Sequence, residues 1–156
     1  MTRIESPLDQ QARETTARAL QQTLVDLIDL SLTAKQAHWT VTGRRFRSIH
    51  LQLDEVVATA RGHMDTIAER SAAIGVPPDG RAATVAAASA VPQVEPGWES
   101  DDKVVAHFVD VHAKVIAGVR ERIDALAEPD PVSQDLLIGL AADLEKQYWM
   151  FQAERD

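Results

Sequence analysis

With 156 residues, 45% of them hydrophobic and only 4% aromatic, the chain is long enough for one domain with a substantial core. It has no cysteine, which excludes disulfides, thiolate metal sites and cysteine nucleophiles. Its 24 acidic residues against 16 basic ones give a net charge of -8, which argues against non-specific nucleic-acid binding through a positive face and suits a protein that handles cations. No run approaches the roughly 18 apolar residues of a membrane span. The opening MTRIESPLDQQARE lacks the apolar centre of a secretion signal, so the expected compartment is the cytoplasm.

The first periodic segment runs from about Asp9 to Trp39. Leu20, Leu24, Leu27, Ser31, Ala34 and His38 follow the alternating three-and-four spacing of a bundle-facing stripe, reinforced by Ile28 and Leu30. Thr40-Val41-Thr42-Gly43 should end it, because β-branched residues and glycine weaken a helix. A second helix is predicted from about Phe46 to Ile74, with Ile49, Leu53, Val56, Ala60, Met64 and Ile67 as its stripe; Gly75 stops it and Pro77-Pro78 prevents continuation. Between Gly75 and Glu99 lie four of the seven prolines and three of the seven glycines, around one short helical stretch from Arg81 to Ala88. This reads as a long crossover rather than a linker between domains, and its length leaves open at which end of the bundle the third helix starts. Ser100-Asp101-Asp102 reads as an N-cap followed by acids in the first turn. The third helix carries Val104, Val105, Phe108, Val111, Val115, Val119, Ile123 and Leu126 and ends before Pro129. The fourth opens at Asp130-Pro131-Val132-Ser133 with Leu137, Leu140, Leu144, Tyr148 and Phe151 on one face. The predicted class is all-α: a ferritin-like four-helix bundle with a short extra helix in the crossover between the second and third helices.

The chemistry-bearing residues gather on the first two helices. His38 continues the core stripe of the first. On the second, His50, Asp54, Arg61, Asp65 and Glu69 fall within about 100° of one another at 100° per residue, so one face carries them all. Asp65 and Glu69 sit one turn apart, near enough to share a cation, and like charges at this spacing destabilise a helix unless something positive lies between them. Arg61 and Arg70 could supply part of that charge, and a lone histidine on an apolar stripe is commonly a hydrogen-bonded core residue. Imidazole with carboxylate and no thiolate suits Fe(II), Mn(II) or Zn(II). The paired Glu-x-x-His signature of an intra-bundle di-iron centre is absent, since no glutamate has a histidine three residues on. His50 and Asp65 are 15 residues apart on one helix, about 22 Å along its axis, whereas one cation takes each ligand at about 2 Å. If His38, His50, Asp65 and Glu69 form one site, the imidazoles and the carboxylates must come from different chains, as a two-fold axis would arrange.

Three blocks carry a family resemblance: Lys35-Gln36-Ala37-His38-Trp39, Phe46 to Glu55, and Met64 to Arg70. With the C-terminal stretch from Asp130 to Met150 they resemble the Dps family of starvation-induced mini-ferritins, over about residues 9 to 154. The resemblance implies a single ferritin-like domain over residues 1–156, residues 1–8 being a short extension, assembled into a hollow homododecamer. It implies iron as the metal, with ferroxidase sites at dimer interfaces: His38 and His50 of one subunit, Asp65 and Glu69 of its neighbour, and Asp54 close by. Fe(II) would be oxidised there, preferably by hydrogen peroxide, with O2 as the other oxidant, and ferric oxide stored in the cavity against oxidative stress. Trp39 matches a tryptophan beside the site, with a core or interface aromatic as the other reading. Asp130 and Asp135 match a region where the family lines its pores with acids; as helix N-terminal acids they would equally suit the dipole.

The family name refers to DNA binding, which in several members uses a lysine-rich terminal extension. Here Arg3 and Arg13 are set against Glu5, Asp9 and Glu14, the chain ends Glu154-Arg155-Asp156, and all four lysines fall within predicted helices. Weak or absent DNA binding is therefore the expectation, with a nucleoid-compacting shell as the alternative function. The basic cluster Arg44-Arg45-Phe46-Arg47 is expected to serve ion pairs between subunits, with a nucleic-acid contact as the alternative.

Overall fold

The computed structural model describes residues 4–155; Arg3 and Asp156, which entered the charge reading of the termini, lie outside the described residues. Helix α1 spans Gln10–Thr40 and starts where Asp9 accepts a hydrogen bond from the Ala12 amide at 2.9 Å, supplying one of the partners a helix N-terminus lacks. Strand β1 (Val41–Thr42) leads through a turn to α2 (Phe46–Ala73), which ends at Ile74 and Gly75, the glycine at φ +78°. The short α3 (Ala82–Ala88), strand β2 (Glu99–Ser100), α4 (Asp101–Leu126) and α5 (Pro131–Ala153) follow.

Helix α1 packs along α2 and α4 along α5, and contacts of α1 with α4 and of α2 with α5 close the bundle. The stripes read from the sequence are its core. Leu20, Leu27, Leu30, Ile49, Leu53, Phe108, Leu137, Leu140, Leu144 and Phe151 have no solvent exposure, each contributing about 1.5–3 kcal/mol by burial. Met64, Ile123 and Tyr148 are only partly buried against it.

The crossover runs back beside α1. Gln21 exchanges two hydrogen bonds with the main chain of Asp79, 2.8 and 3.0 Å, Gln22 donates to the Ala88 carbonyl, and buried Asp29 accepts from Ser89 and from Gln93. The chain thus returns the length of the bundle, and α4 begins beside the end of α1. There β1 and β2 pair in parallel, Val41 opposite Glu99 and Thr42 opposite Ser100. This two-residue bridge was not expected; two residues are too few to show a strand's period of two. The N-cap falls at Ser100 with Asp101 and Asp102 in the first turn, as expected, but the Ser100 hydroxyl caps nothing; instead Asp101, buried, accepts from the amides of Asp102 (2.9 Å) and Arg45 (2.7 Å). Among the described residues no helix is long and apolar enough to cross a membrane.

Candidate metal centre

His38 stands two residues before the end of α1 and His50 in the second turn of α2, so the α1–α2 turn folds them face to face. Their rings stack with centroids 3.5 Å apart and 19° between planes. The Nδ1 of His38 lies 2.7 Å from the carbonyl oxygen of His50, and the Nδ1 of His50 lies 2.8 Å from that of His38. A carbonyl only accepts, so each Nδ1 carries its proton and donates it. That fixes the tautomer: both Nε2 atoms keep their lone pairs, and among the described residues no protein hydrogen bond engages them. His38 is buried and His50 half-buried, with the Phe46 ring packed on His50 at 5.0 Å.

Asp54, one turn beyond His50, joins the pair. Its carboxylate is 3.4 Å from the His38 Nδ1 and accepts a hydrogen bond from the Lys35 ammonium at 2.5 Å. That hydrogen bond holds the Asp54 carboxyl below the usual carboxylate range. The pairing of Lys35 with Asp54 is absent from the sequence reading, although spacing hints at it: Lys35 precedes His38 by three residues and Asp54 follows His50 by four, one turn on the same face in each helix.

Asp65 and Glu69 are further along the same unbroken α2, both exposed, and neither takes part in an ion pair or side-chain hydrogen bond within the described residues. The chain therefore divides into an imidazole half and a carboxylate half, and among the described residues no group of three metal-binding side chains converges within one protomer. Trp39, next to His38, is 61% exposed; it is not a core aromatic of the protomer. Asp135 is exposed on α5, whereas Asp130 is not: it is 2% exposed, receives both a 2.9 Å and a 3.1 Å hydrogen bond from Arg70, and accepts from Ser133. The Arg45 of the basic cluster is spent within its own protomer on Asp101, Asp102 and Glu154, so the expected intersubunit pairing does not describe it. Arg44 and Arg47 are exposed without an ion pair among the described residues.

Four long helices with a long crossover, and histidines at the junction of the first two, define a ferritin-like protein, and the Ferritin-like domain family matches residues 17–156. The chain is 36% identical over 144 residues to the DNA protection during starvation protein of Mycolicibacterium smegmatis, covering 88% of this chain and 75% of that one. It is 33% identical over 136 residues to DNA protection during starvation protein 2 of Deinococcus radiodurans, covering 87% of this chain but only 56% of the relative, little more than half its length. Among solved structures, the Mycobacterium smegmatis Dps tetragonal form matches with a TM-score of 0.92 at 32% identity, covering 99% of this chain and 93% of the other. Dps from Microbacterium arborescens in its high iron form matches with a TM-score of 0.91 at 31% identity, covering 96% and 97%. The chain belongs to the Dps family.

Proposed function

We propose that the protein is a ferroxidase and iron store, oxidising Fe(II) at sites shared between two subunits and holding the ferric product inside a closed homododecameric shell. The observation that carries this reading is the split between an imidazole pair at the α1–α2 junction and two carboxylates further along α2. A stacked imidazole pair with both Nε2 lone pairs available stands at one end, and two exposed carboxylates, without an ion pair among the described residues, stand about 22 Å away along the α2 axis. Two copies of α2 running antiparallel across a two-fold axis would set each imidazole half against the partner's carboxylate half, giving two equivalent sites per dimer. The structural likeness to a Dps solved in a high iron form supports iron as the metal.

In this mechanism His38 and His50 bind Fe(II) through Nε2, and Asp65 and Glu69 of the neighbouring subunit neutralise its charge. Carboxylate oxygens favour the harder Fe(III), so oxidation is easier at this site than in water. Asp54 is placed to help hold a second, weaker iron. Two ferrous ions then deliver one electron each to one hydrogen peroxide; its O–O bond breaks, two protons are taken up and two waters leave. Pairing the electrons avoids release of hydroxyl radical, which is the protective value of the reaction. Asp135, exposed near the start of α5, remains a candidate for lining an entry pore, a role that the buried, Arg70-paired Asp130 is poorly placed to share.

The test is anaerobic loading with Fe(II) followed by hydrogen peroxide, read by ferric absorbance. Rapid oxidation of about one peroxide per two irons is expected, and its loss in the His38→Ala, His50→Ala double variant. A wild-type rate no faster than protein-free buffer would overturn the proposal.

A further inference from the structure

The reciprocal hydrogen bonds of His38 and His50 run from each side chain to the other residue's backbone. Both therefore depend on how the last turn of α1 sits against the first turns of α2, and a small slip of one against the other would break the two together. What fixes that corner is a dense set of contacts centred on Arg45, which lies between the two histidines in sequence. The Arg45 amide donates to Asp101 at 2.7 Å. Its guanidinium reaches Asp102 at the start of α4 and the main-chain carbonyl of Glu154 at the end of α5, with the Glu154 carboxylate at 3.5 Å and Asp101 at 3.8 Å. On the α1 side the corner is held by β1 against β2 and by the Thr42 hydroxyl, which donates to the Glu99 carbonyl at 3.1 Å. Gly43, at φ +131°, makes room for the arrangement: a Cβ there would lie 2.5–2.6 Å from the Asp101 carboxyl atoms. On the α2 side the Arg45 carbonyl accepts from Ile49 at 3.0 Å and from the Ser48 hydroxyl at 2.9 Å, directly before His50.

We infer that Arg45 is a positioning residue for the imidazole half of the metal site, tying the geometry of His38 and His50 to the beginning of α4 and the end of α5. The inference rests on reading those histidines as metal ligands. Arg45 touches neither imidazole; it acts by holding the corner on which both hydrogen bonds depend. A guanidinium suits the task because its planar fork of five donors can serve several oxygens at once, whereas a lysine ammonium on a flexible stem cannot hold the same directions.

The experiment measures anaerobic Co(II) binding, Co(II) being a divalent probe that does not turn over, together with KM and kcat for Fe(II), assembled mass and thermal midpoint. Arg45→Gln should weaken Co(II) binding and raise KM for Fe(II) each about tenfold, the lower end for groups that orient ligands, while kcat at saturation stays within about twofold and the assembly keeps its mass. Arg45→Lys should recover only part of the affinity. Should Arg45→Gln not assemble, Asp102→Ala with Glu154→Ala removes two of the carboxylates the guanidinium reaches while keeping Asp101 and the Glu154 main-chain carbonyl, and is read the same way with a smaller expected loss. Unchanged Co(II) affinity and KM with a lowered thermal midpoint would overturn the inference, leaving Arg45 a brace of the fold alone. The His38→Ala, His50→Ala variant separates the two levels. If it binds Co(II) as well as the wild type, the metal-site reading itself fails, whatever Arg45 does.

Discussion

At the scale of single residues, the proposed site contains a competition. The Asp54 carboxylate that could help a second cation is already held by Lys35, whose positive charge also repels any metal arriving beside His38. Lys35→Met should therefore strengthen anaerobic Co(II) binding severalfold, modestly because Asp54 is 44% exposed and well screened. Weaker binding in that variant would show that Lys35 supports the site instead. A second residue acts on stability. His112 is fully buried between Phe108 and Phe151, its Nδ1 2.8 Å from the Phe108 carbonyl and its Nε2 3.4 Å from the Gln147 side-chain oxygen. Gln147 is itself oriented by donating to Thr59 and to the Glu55 carbonyl. Burial pushes His112 below the ordinary histidine value of 6.5, against the two hydrogen bonds that favour its charge. The unfolded chain thus takes up a proton near 6.5 that the folded one refuses. This contribution to stability is complete above 6.5 and falls as pH drops from there toward the lower, folded value. Urea midpoints between pH 7.5 and 5.5 should fall more steeply for the wild type than for His112→Gln; equal slopes would remove His112 from the acid response.

At the scale of elements, buried ion pairs fasten the helices where apolar stripes alone would leave them free to slide. Asp26 on α1 accepts from Arg122 on α4 at 2.8 Å, and Asp130, at the entry to α5, is paired with Arg70 near the end of α2. Burial works against the charge of Asp130, but the Ser133 hydroxyl and Arg70 outweigh it and keep its carboxyl below the usual range. The pair is therefore intact at neutral pH and would weaken only on strong acidification. Asp130→Ala leaves a nearly buried guanidinium without its partner and should cost about 3–5 kcal/mol by chemical denaturation, while Arg70→Met with Asp130→Leu should recover much of that. A loss under about 1 kcal/mol would mean that water replaces the carboxylate. These fastenings mark the limit of what the sequence made legible. The helices could be placed because periodic stripes and local breakers are short-range signals, and the second-helix face bearing His50, Asp54, Asp65 and Glu69 follows from 100° per residue. Asp130 could not be told from a dipole-favoured acid, because its partner lies 60 residues earlier. Arg45 could not be assigned either, since its partners stand 56 to 109 residues away and three arginines in a turn look alike from composition. The Lys35–Asp54 pair joins two helices, so it becomes legible only once the α1–α2 turn is known to set His38 against His50.

At the scale of the whole molecule, the proposal requires that no protomer be active alone, and subunit mixing tests this directly. The shell itself is expected as a particle of twelve 17.1 kDa chains by light scattering, and a mass of only two chains would keep the dimeric site while removing the cavity. Within any such dimer, His38→Ala with His50→Ala removes the imidazole half of every site, and Asp65→Ala with Glu69→Ala removes the carboxylate half. Neither double variant should oxidise Fe(II) rapidly. Co-assembled, a dimer of one of each has one site lacking all four ligands and one built from the intact carboxylates of the first chain and the intact imidazoles of the second. Mixed shells should therefore regain part of the wild-type rate although both parents are inactive. A site contained within one chain could regain nothing, because neither chain carries a complete set. The continuity of α2 through both His50 and Asp65 is what forbids such a site: no single cation can bridge about 22 Å of straight helix. Mixed assemblies verified by mass spectrometry and yet wholly inactive would show that these four residues do not meet in one shared centre.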